Sequence, residues 1–433
     1  MASIKFTNFS RDQIKYIDVG FWFILIAIVI CSVISIFSAS STLINKSIAA
    51  GLGTYRPILS HIGFLIMGLV FAWIVQFLDS WFIRLLGYVG LVISIACLCL
   101  MYVPGLGIRA NGVVRWIRLG PASFQPSEAA KLSLIIVASD LLGRIKTAQD
   151  QKKYFWIVLG LTVLVCIPIL PGNLSSVVLI FVVMLLLLFV SPVRLKWVLT
   201  TAGIILVCLV SGFFIAKYGF IEKGKEIPKP FARATTWVGR VDDFFANKHG
   251  ETITVTDDNY QEIMAEIAVA RGGQSPVGVL PGNSVMRNKL PLAYMDFIFA
   301  IIVEETGIVG AAALMFLYIS ILGRACIATN KYADYSALLM VMGLALMLTS
   351  QALLSMAVAV GAFPVTGQPL PLISKGGTSI VITSIYFGIM MSVCREQRIR
   401  AEQDKQVIQE SKEDVPTIEL DDDIPSSNND LIE

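Results

Sequence analysis

The feature that most constrains this chain is a run of roughly 20 apolar residues that recurs along its length. "FWFILIAIVICSVISIF" is the first such run. A helix rises about 1.5 Å per residue, so each run matches a bilayer's hydrocarbon thickness of about 30 Å. Water cannot satisfy backbone groups there, so the runs must fold as helices that satisfy themselves. Hydrophobic residues make up 56% of the 433 positions and charged residues 15%, against about 25% charged in soluble domains. The mean hydropathy is +0.74.

These runs predict an all-α integral membrane protein with about ten transmembrane helices. The expected spans are 19–40, 58–78, 83–103, 125–143, 154–170, 174–190, 195–216, 294–323, 335–360 and 374–394. Residues 1–18 read as a cytoplasmic N-terminal segment, and 19–400 as one polytopic domain. Basic residues fall in short loops on one side: Lys5, Arg11 and Lys15, then Arg144 to Lys153, Arg194 with Lys196, Arg324, and Arg395 to Arg400. That bias places both ends in the cytoplasm and the long loop 217–293, between helices 7 and 8, outside. Within the loop, "NYQEIMAEIAVARGG" has helical spacing and a glycine stop, and "RATTWVGRVDDFFANK" reads as an interfacial helix anchored by Trp237, Phe244 and Phe245.

The net charge of +3 conceals an acidic tail: from Ala401 onward there are eleven acids and two lysines. Residues 401–433 are expected to be a disordered acidic cytoplasmic tail. The remaining basic residues are scattered among spans, which argues against nucleic acid as a partner. The seven cysteines lie mostly in apolar runs and read as small buried residues. The N-terminus shows no signal-cleavage pattern, so the first span is expected to be retained.

Against this background, "YMDFIFAIIVEETGIVGA" raises a question: three carboxylates occupy an apolar helix. A charge at membrane depth needs a partner, a water-filled cavity or a task. Asp296 stands where the long loop enters the span, with two readings: a general base open to water and lipid headgroups, or a helix cap. Glu304 and Glu305 cannot share one helix face, so one of them is expected to pair with a buried cation. Lys131 is the candidate, in "QPSEAAKLSLIIV" with Glu128 one turn back. Structure or substrate positioning are the roles for Gln125, Glu128, Glu304 and Glu305.

The outside segment "PGLGIRANGVVRWIRLGPASF" carries Arg109, Arg115 and Arg118 where short loops normally lack cations. Guanidinium groups fit a diphosphate, and attraction to anionic lipid is the alternative. No Walker or dinucleotide pattern is present, so no nucleotide cofactor is expected. Near the C-terminus, "GAFPVTGQPLPLISKGGTS" concentrates Pro and Gly before the last span and displays Ser374 and Lys375. It reads as a re-entrant lip or as a plain outer loop.

Four stretches together resemble the SEDS family (shape, elongation, division and sporulation), which includes FtsW and RodA. They are "NGVVRWIRLGPASFQPSEAAKLSLI", "YQEIMAEIAVARGG", "MDFIFAIIVEETGIVGA" and "GAFPVTGQPLPLISKGGTS". The resemblance implies a peptidoglycan glycosyltransferase that polymerises lipid II, the undecaprenyl-diphosphate-linked disaccharide pentapeptide, at the outer face of the bacterial cytoplasmic membrane. It implies that Asp296 is the essential Asp of a motif usually reading H-T-D-F-I-F, and it carries a family arginine onto Arg115 and a QPSE-x-x-K segment onto Gln125, Glu128 and Lys131; the reading of the two outer segments adds Arg109, Arg118, Ser374 and Lys375 to Arg115 and Lys131 as candidate substrate-binding residues. It also implies a class B penicillin-binding protein as partner, other division or elongation proteins, and a divalent cation such as Mg2+ or Mn2+ with ligands unassigned. Septal work in division is the preferred reading, with elongation, lipid II flipping and a non-catalytic scaffold as alternatives. The chain departs from the family pattern at Tyr294 and Met295, at Asn173 and Asn288 where acids are usual, and at Lys375 where an aromatic is usual.

Overall fold

The computed structural model describes residues 11–49, 51, 53–110, 113–119, 122–221, 234–248, 259–290, 292–330, 332 and 334–413. Thirteen α-helices are formed among them. The first half of the chain gives α1 (Val19–Ala39), α2 (Ser41–Ala49), α3 (Arg56–Val75), α4 (Ser80–Leu100), α5 (Pro126–Gly143), α6 (Ala148–Ile169) and α7 (Leu174–Val190). The second half gives α8 (Leu195–Phe214), α9 (Ala234–Lys248), α10 (Tyr260–Gly273), α11 (Ile298–Thr329), α12 (Tyr335–Ala359) and α13 (Thr378–Glu413). Side chains set several of the starts. Asp18 accepts from the Phe21 N–H at α1, Thr147 and Asp150 form a capping box at α6, and Asn173 accepts from the Ser176 N–H at α7.

Eight helices among the described residues are long and apolar enough to cross a membrane: α1, α3, α4, α6, α8 with its π-helical extension, α11, α12 and α13. This is fewer than the ten expected. The two shortfalls have simple causes: α7 is apolar but only 17 residues long, and α5 carries Glu128, Lys131 and Asp140 in 18 residues. The fold is also not purely helical. Three antiparallel strands, β1 (Gly107–Ala110), β2 (Val113–Leu119) and β3 (Ala122–Phe124), form a small sheet in the order β1-β2-β3. The alternation in "VVRWIRL" and its β-branched residues favour a strand, and Ile117 faces Phe124 across the β2–β3 pair.

α5, α12 and the first half of α13 form the buried centre, with α3, α4, α7 and α11 packed around them. α8 is the opposite case: only Val198 and Thr201 are buried along it. α10 forms where its periodicity predicts, and it packs on α11 so closely that a Cβ at Gly272 would lie 2.0 Å from the Val303 carbonyl oxygen.

α11 begins at Ile298, four residues later than expected, and is interrupted at Gly307, whose φ of 67° and ψ of −164° only glycine adopts readily. The loop after α10 fills the interruption. Val279 and Leu280 donate their N–H groups to the carbonyls of Glu304 and Glu305 at 3.0 and 2.8 Å, and Val309 N–H donates to the Pro276 carbonyl at 3.2 Å. Backbone groups freed by the break are thereby satisfied by the loop, as burial demands.

The expected boundary of the tail also changes. α13 continues to Glu413, so residues 401–413 are helical, and Ala401, Glu402 and Gln403 are good helix formers. Residues 414–433 lie outside the described residues, as do 222–233 and 249–258 of the long loop. α9 forms within the segment read as interfacial, and the rings of Phe244 and Phe245 pack edge to face at 5.5 Å.

Candidate functional site

Asp296 lies in the turn ahead of α11, two residues before the helix starts. Phe297 holds the N-cap position and makes no side-chain cap, so Asp296 does not serve as the helix cap. Its side chain keeps partial contact with solvent while protein crowds its carboxyl. Burial pushes this carboxyl above its ordinary value of 3.8, and the guanidinium groups of Arg115 and Arg240 pull it back down. A carboxylate held between desolvation and two cations is poised to exchange a proton.

Two structures position those arginines. Arg115 is on β2, and its Nε donates to the Gly172 carbonyl at 3.0 Å, tying the sheet to the α6–α7 turn. Arg240 is on α9, and its Nη1 donates to the Val365 carbonyl at 2.9 Å. Arg240 acts electrostatically on Glu262 as well, a carboxyl on α10 raised to about 7 by burial and by Glu266 and Asp243. Arg240 and Glu262 are absent from the sequence-derived site.

The segment 361–377 borders the site from the other side: Ala362 and Phe363 are exposed, and residues 368–374 pack among the helices. Gln368, Leu370, Leu372 and Ile373 are buried. Gly367 comes so near Asp296 that a Cβ there would be 3.5 Å from Oδ2. Leu372 has a φ of 65°, unusual for a non-glycine residue. Its neighbours enforce this: Ser32 Oγ donates to the Leu372 carbonyl at 2.7 Å, Gln351 Nε2 to the Pro369 carbonyl at 3.2 Å, and Tyr318 to the Pro371 carbonyl. Ser374 is buried, accepts from the Leu370 N–H at 2.9 Å and donates to the Met295 carbonyl at 2.6 Å. It stitches this segment to the Asp296 turn and is not displayed to a ligand, contrary to expectation.

Lys375 donates its backbone N–H to the Tyr294 carbonyl at 2.9 Å, and its Nζ lies 5.9 Å from the Tyr294 ring centre. Two departures from the family pattern thus meet as a cation–π pair beside Asp296. Partial burial lowers the Lys375 ammonium from its ordinary value.

Lys131 is displaced from its expected role. It is 1% exposed and pairs with Glu128 at 2.8 Å and with Gln351 Oε1 at 3.0 Å, beneath segment 361–377. Through Gln351 this buried pair supports the Pro369 carbonyl, a positioning role rather than contact with a ligand. Glu304 and Glu305 do not pair with Lys131. Glu304 accepts from Ser284 Oγ and from the Val285 and Met286 N–H groups, both at 3.3 Å, and pairs with Arg271 at 3.2 Å. Glu305 accepts from Ser38 Oγ and from the Gly282 N–H at 3.1 Å. The two glutamates point to different partners and clamp the loop that leads into Asp296. Gln125 is buried beside Ser127, Arg118 is exposed on β2, and Arg109 is in β1, with its side chain outside the described ones.

Among the described residues no group of three or more His, Cys, Asp or Glu is placed to hold a metal ion. The Asp296 surroundings do not fit a protein cage for the expected divalent cation, because its charged neighbours are arginines. Asn173, where the family has an acid, caps α7 and accepts from Gln368 Nε2 at 3.3 Å.

Fold and site together define a multi-pass membrane protein with a carboxylate-and-arginine site at one mouth of its helix bundle. Residues 19–399 match the profile of the FtsW/RodA/SpoVE family of cell cycle proteins. The chain belongs to this family. It is 30% identical over 401 residues to a probable peptidoglycan glycosyltransferase FtsW of Dichelobacter nodosus, covering 90% of this chain and 93% of that protein. A chain in a structure describing the coordination of polymerization and crosslinking by a peptidoglycan synthase complex superimposes with a TM-score of 0.68. That match has 24% identity over 88% of this chain and 98% of the other. The rod shape determining protein RodA of Thermus thermophilus gives 0.61 at 24% identity, over 88% and 97% of the two chains. These two structures share the fold.

Proposed function

We propose that this chain polymerises lipid II into glycan strands at the outer face of the cytoplasmic membrane, for septal synthesis during division. Its relatives make it a peptidoglycan glycosyltransferase. The observation that carries the finer reading is the Asp296 carboxyl, crowded by Gly367 and drawn toward its charged form by Arg115 and Arg240. In this mechanism Asp296 accepts the proton of the acceptor sugar's 4-hydroxyl. The hydroxyl oxygen then bonds to the donor's anomeric carbon as the bond to the diphosphate breaks. Arg115 and Arg240 hold the charge that develops on the departing diphosphate. Lys375, on its Tyr294 platform, is a third cation at the same mouth. A divalent cation remains part of the proposal only as a companion of the substrate's diphosphate, and no step runs through it.

The topology in this proposal is ten crossings, with α5 and α7 added to the eight. α5 starts beside β3, where Thr378 Oγ1 donates to the Ser123 carbonyl at 3.1 Å. Near its other end, Asp140 accepts from Tyr88 in the first half of α4 at 2.8 Å, and Ser80 at the start of α4 donates its N–H to Glu396, far along α13, at 2.7 Å. Its two ends therefore lie toward opposite ends of neighbouring helices. α7 starts at Asn173, against Gln368, and leads to α8, whose Trp197 packs on Phe155 near the start of α6. Arg398 of α13 donates to the Tyr16 and Ile17 carbonyls at 3.4 and 3.2 Å, which brings both ends of the bundle sequence to one face, as an even number requires. Loop 217–293 is then extracytoplasmic. A class B penicillin-binding protein is the proposed partner, as a crosslinking enzyme for the strand made here.

Purified protein given labelled lipid II, alone and with its cognate transpeptidase, tests the activity. A glycan ladder supports polymerisation. Transbilayer movement of lipid II without a ladder supports a flippase, and neither supports a scaffold.

Arg240→Gln should lower the polymerisation rate by about 10- to 100-fold. Removing this cation also raises the Asp296 carboxyl further, so the acidic limb of the pH–rate profile should move to higher pH. An unmoved limb would remove Arg240's pull on Asp296, and a rate within about twofold of the parent would remove it from the diphosphate role as well. Truncation after Glu413 should leave the purified enzyme's rate within about twofold of the parent, because an acidic segment poor in apolar residues contributes no core. Loss of turnover on truncation would assign the tail to the catalytic body.

A further inference from the structure

The starts of α6 and α8 face each other across an open cleft of about 530 Å3. Lys152, Lys153 and Trp156 line it from α6, and Arg194 and Trp197 from α8. The lining contains three cations and no carboxylate. Packing fixes its shape. Buried Phe155 touches both indoles, Trp156 at 5.3 Å and Trp197 at 5.4 Å between ring centres, and the Arg194 guanidinium lies 5.9 Å from the Trp197 ring. The nearby acid, Asp150, is engaged by the Thr147 N–H and hydroxyl at 3.0 and 2.8 Å.

Three properties distinguish this cleft from the ordinary cytoplasmic excess of Lys and Arg. Its cations come from two helices about forty residues apart in sequence and converge on one concavity. Its indoles mark headgroup depth, where Trp is favoured. Beyond it, both spans continue with exposed apolar side chains: Ile157 and Val163 on α6, Leu199 and Leu206 on α8. A charged mouth above two lipid-facing helices matches an amphiphile with an anionic head better than a soluble anion.

We propose that this cleft binds an anionic phospholipid of the cytoplasmic leaflet, with Lys152, Lys153 and Arg194 on its phosphate and Trp156 and Trp197 against its glycerol region. The site is at the opposite membrane face from Asp296 in the ten-span topology, and it takes no part in the transfer reaction. Its occupant fastens the start of α8, the least buried of the eight long apolar helices among the described residues, to α6.

The test uses the full chain, purified in a neutral detergent and titrated with phosphatidylglycerol or phosphatidylcholine, with bound lipid counted by native mass spectrometry. The parent should retain phosphatidylglycerol in preference to phosphatidylcholine. The triple variant Lys152→Gln, Lys153→Gln, Arg194→Gln should retain about tenfold less phosphatidylglycerol. A control that removes three cations elsewhere, Lys15→Gln, Lys146→Gln and Lys405→Gln, should bind like the parent. Single variants Lys152→Gln and Arg194→Gln should each give an intermediate loss, which keeps the question open to answer if the triple variant misfolds. Equal losses in cleft and control variants would reduce the effect to net charge and overturn the site. Undiminished binding in the cleft variants would overturn it as well. Competition by millimolar inorganic phosphate or glycerol phosphate as effective as by the lipid would assign the cleft to a soluble anion instead.

Discussion

Asp296→Asn should remove polymerisation of lipid II, by about 100- to 10,000-fold, while the protein folds as before. The amide has the size of the carboxyl but cannot accept the proton. No cap is lost, because α11 starts without a side-chain cap. The stability consequence has a definite sign. Burial raises the carboxyl above 3.8 in the folded protein, so folding favours its protonated form. That contribution is full below the unfolded value and is lost as pH rises through the raised folded value. The Asn variant has no such ionisation, so its thermal midpoint at neutral pH should equal or exceed the parent's. For the parent, the polymerisation rate should climb with pH through a midpoint above 3.8, because the base must be ionised. Asp296→Glu keeps the charge but moves it by about one methylene, in a space where even Gly367 is near contact, and should leave little activity. Initial rates on labelled lipid II decide the matter: a folded Asn variant within about threefold of the parent would end the general-base assignment.

The sequence displayed the membrane class openly because apolar length is a local property, and α10 was legible for the same reason. The charged residues were legible as questions rather than answers. Glu304 and Glu305 plainly needed partners, but those partners are Ser38 in α1, Arg271 in α10 and the backbone at 282–286. No pattern within one helix specifies contacts of that range. Lys131 was a reasonable candidate by charge, yet its own neighbour one turn back, Glu128, satisfied it first. The strand character of 113–119 was present in its alternation, but a positive outer loop drew attention to its arginines instead. Arg240 shows the opposite failure. It is one of many cations in a loop too long for the short-loop charge bias to single it out, and the aromatic residues nearby made the segment read as a membrane anchor. The tail was judged by its acid count, and acids do not prevent a helix: the first turns after Arg400 continue α13 in water.

Gly307→Ala should destabilise the protein by about 3 kcal/mol or more and depress catalysis without touching a charged group. The backbone at 307 has φ 67° and ψ −164°, where a Cβ is strained before any neighbour is considered. Neighbours make it worse: the added Cβ would lie 2.4–2.5 Å from the Pro276 carbonyl oxygen, the Gly278 nitrogen and the Ser275 carbonyl oxygen. Those are backbone atoms, and they cannot turn aside as a long side chain would. Relief requires the loop 275–280 to withdraw, which breaks the hydrogen bonds from Val279 and Leu280 to the Glu304 and Glu305 carbonyls. The same loop is held by the two glutamate side chains and runs directly into the Asp296 turn. Its withdrawal therefore reaches the carboxylate through about fifteen residues of chain and through α11 itself. A fall in thermal midpoint of about 3 °C or more is expected for a chain of this size, together with a polymerisation rate reduced more than tenfold in the protein that remains folded. Gly323→Ala, in the same helix with open space around its Cα, is the control and should change neither. An unchanged midpoint for Gly307→Ala would show that the break in α11 can close into a regular helix without the loop.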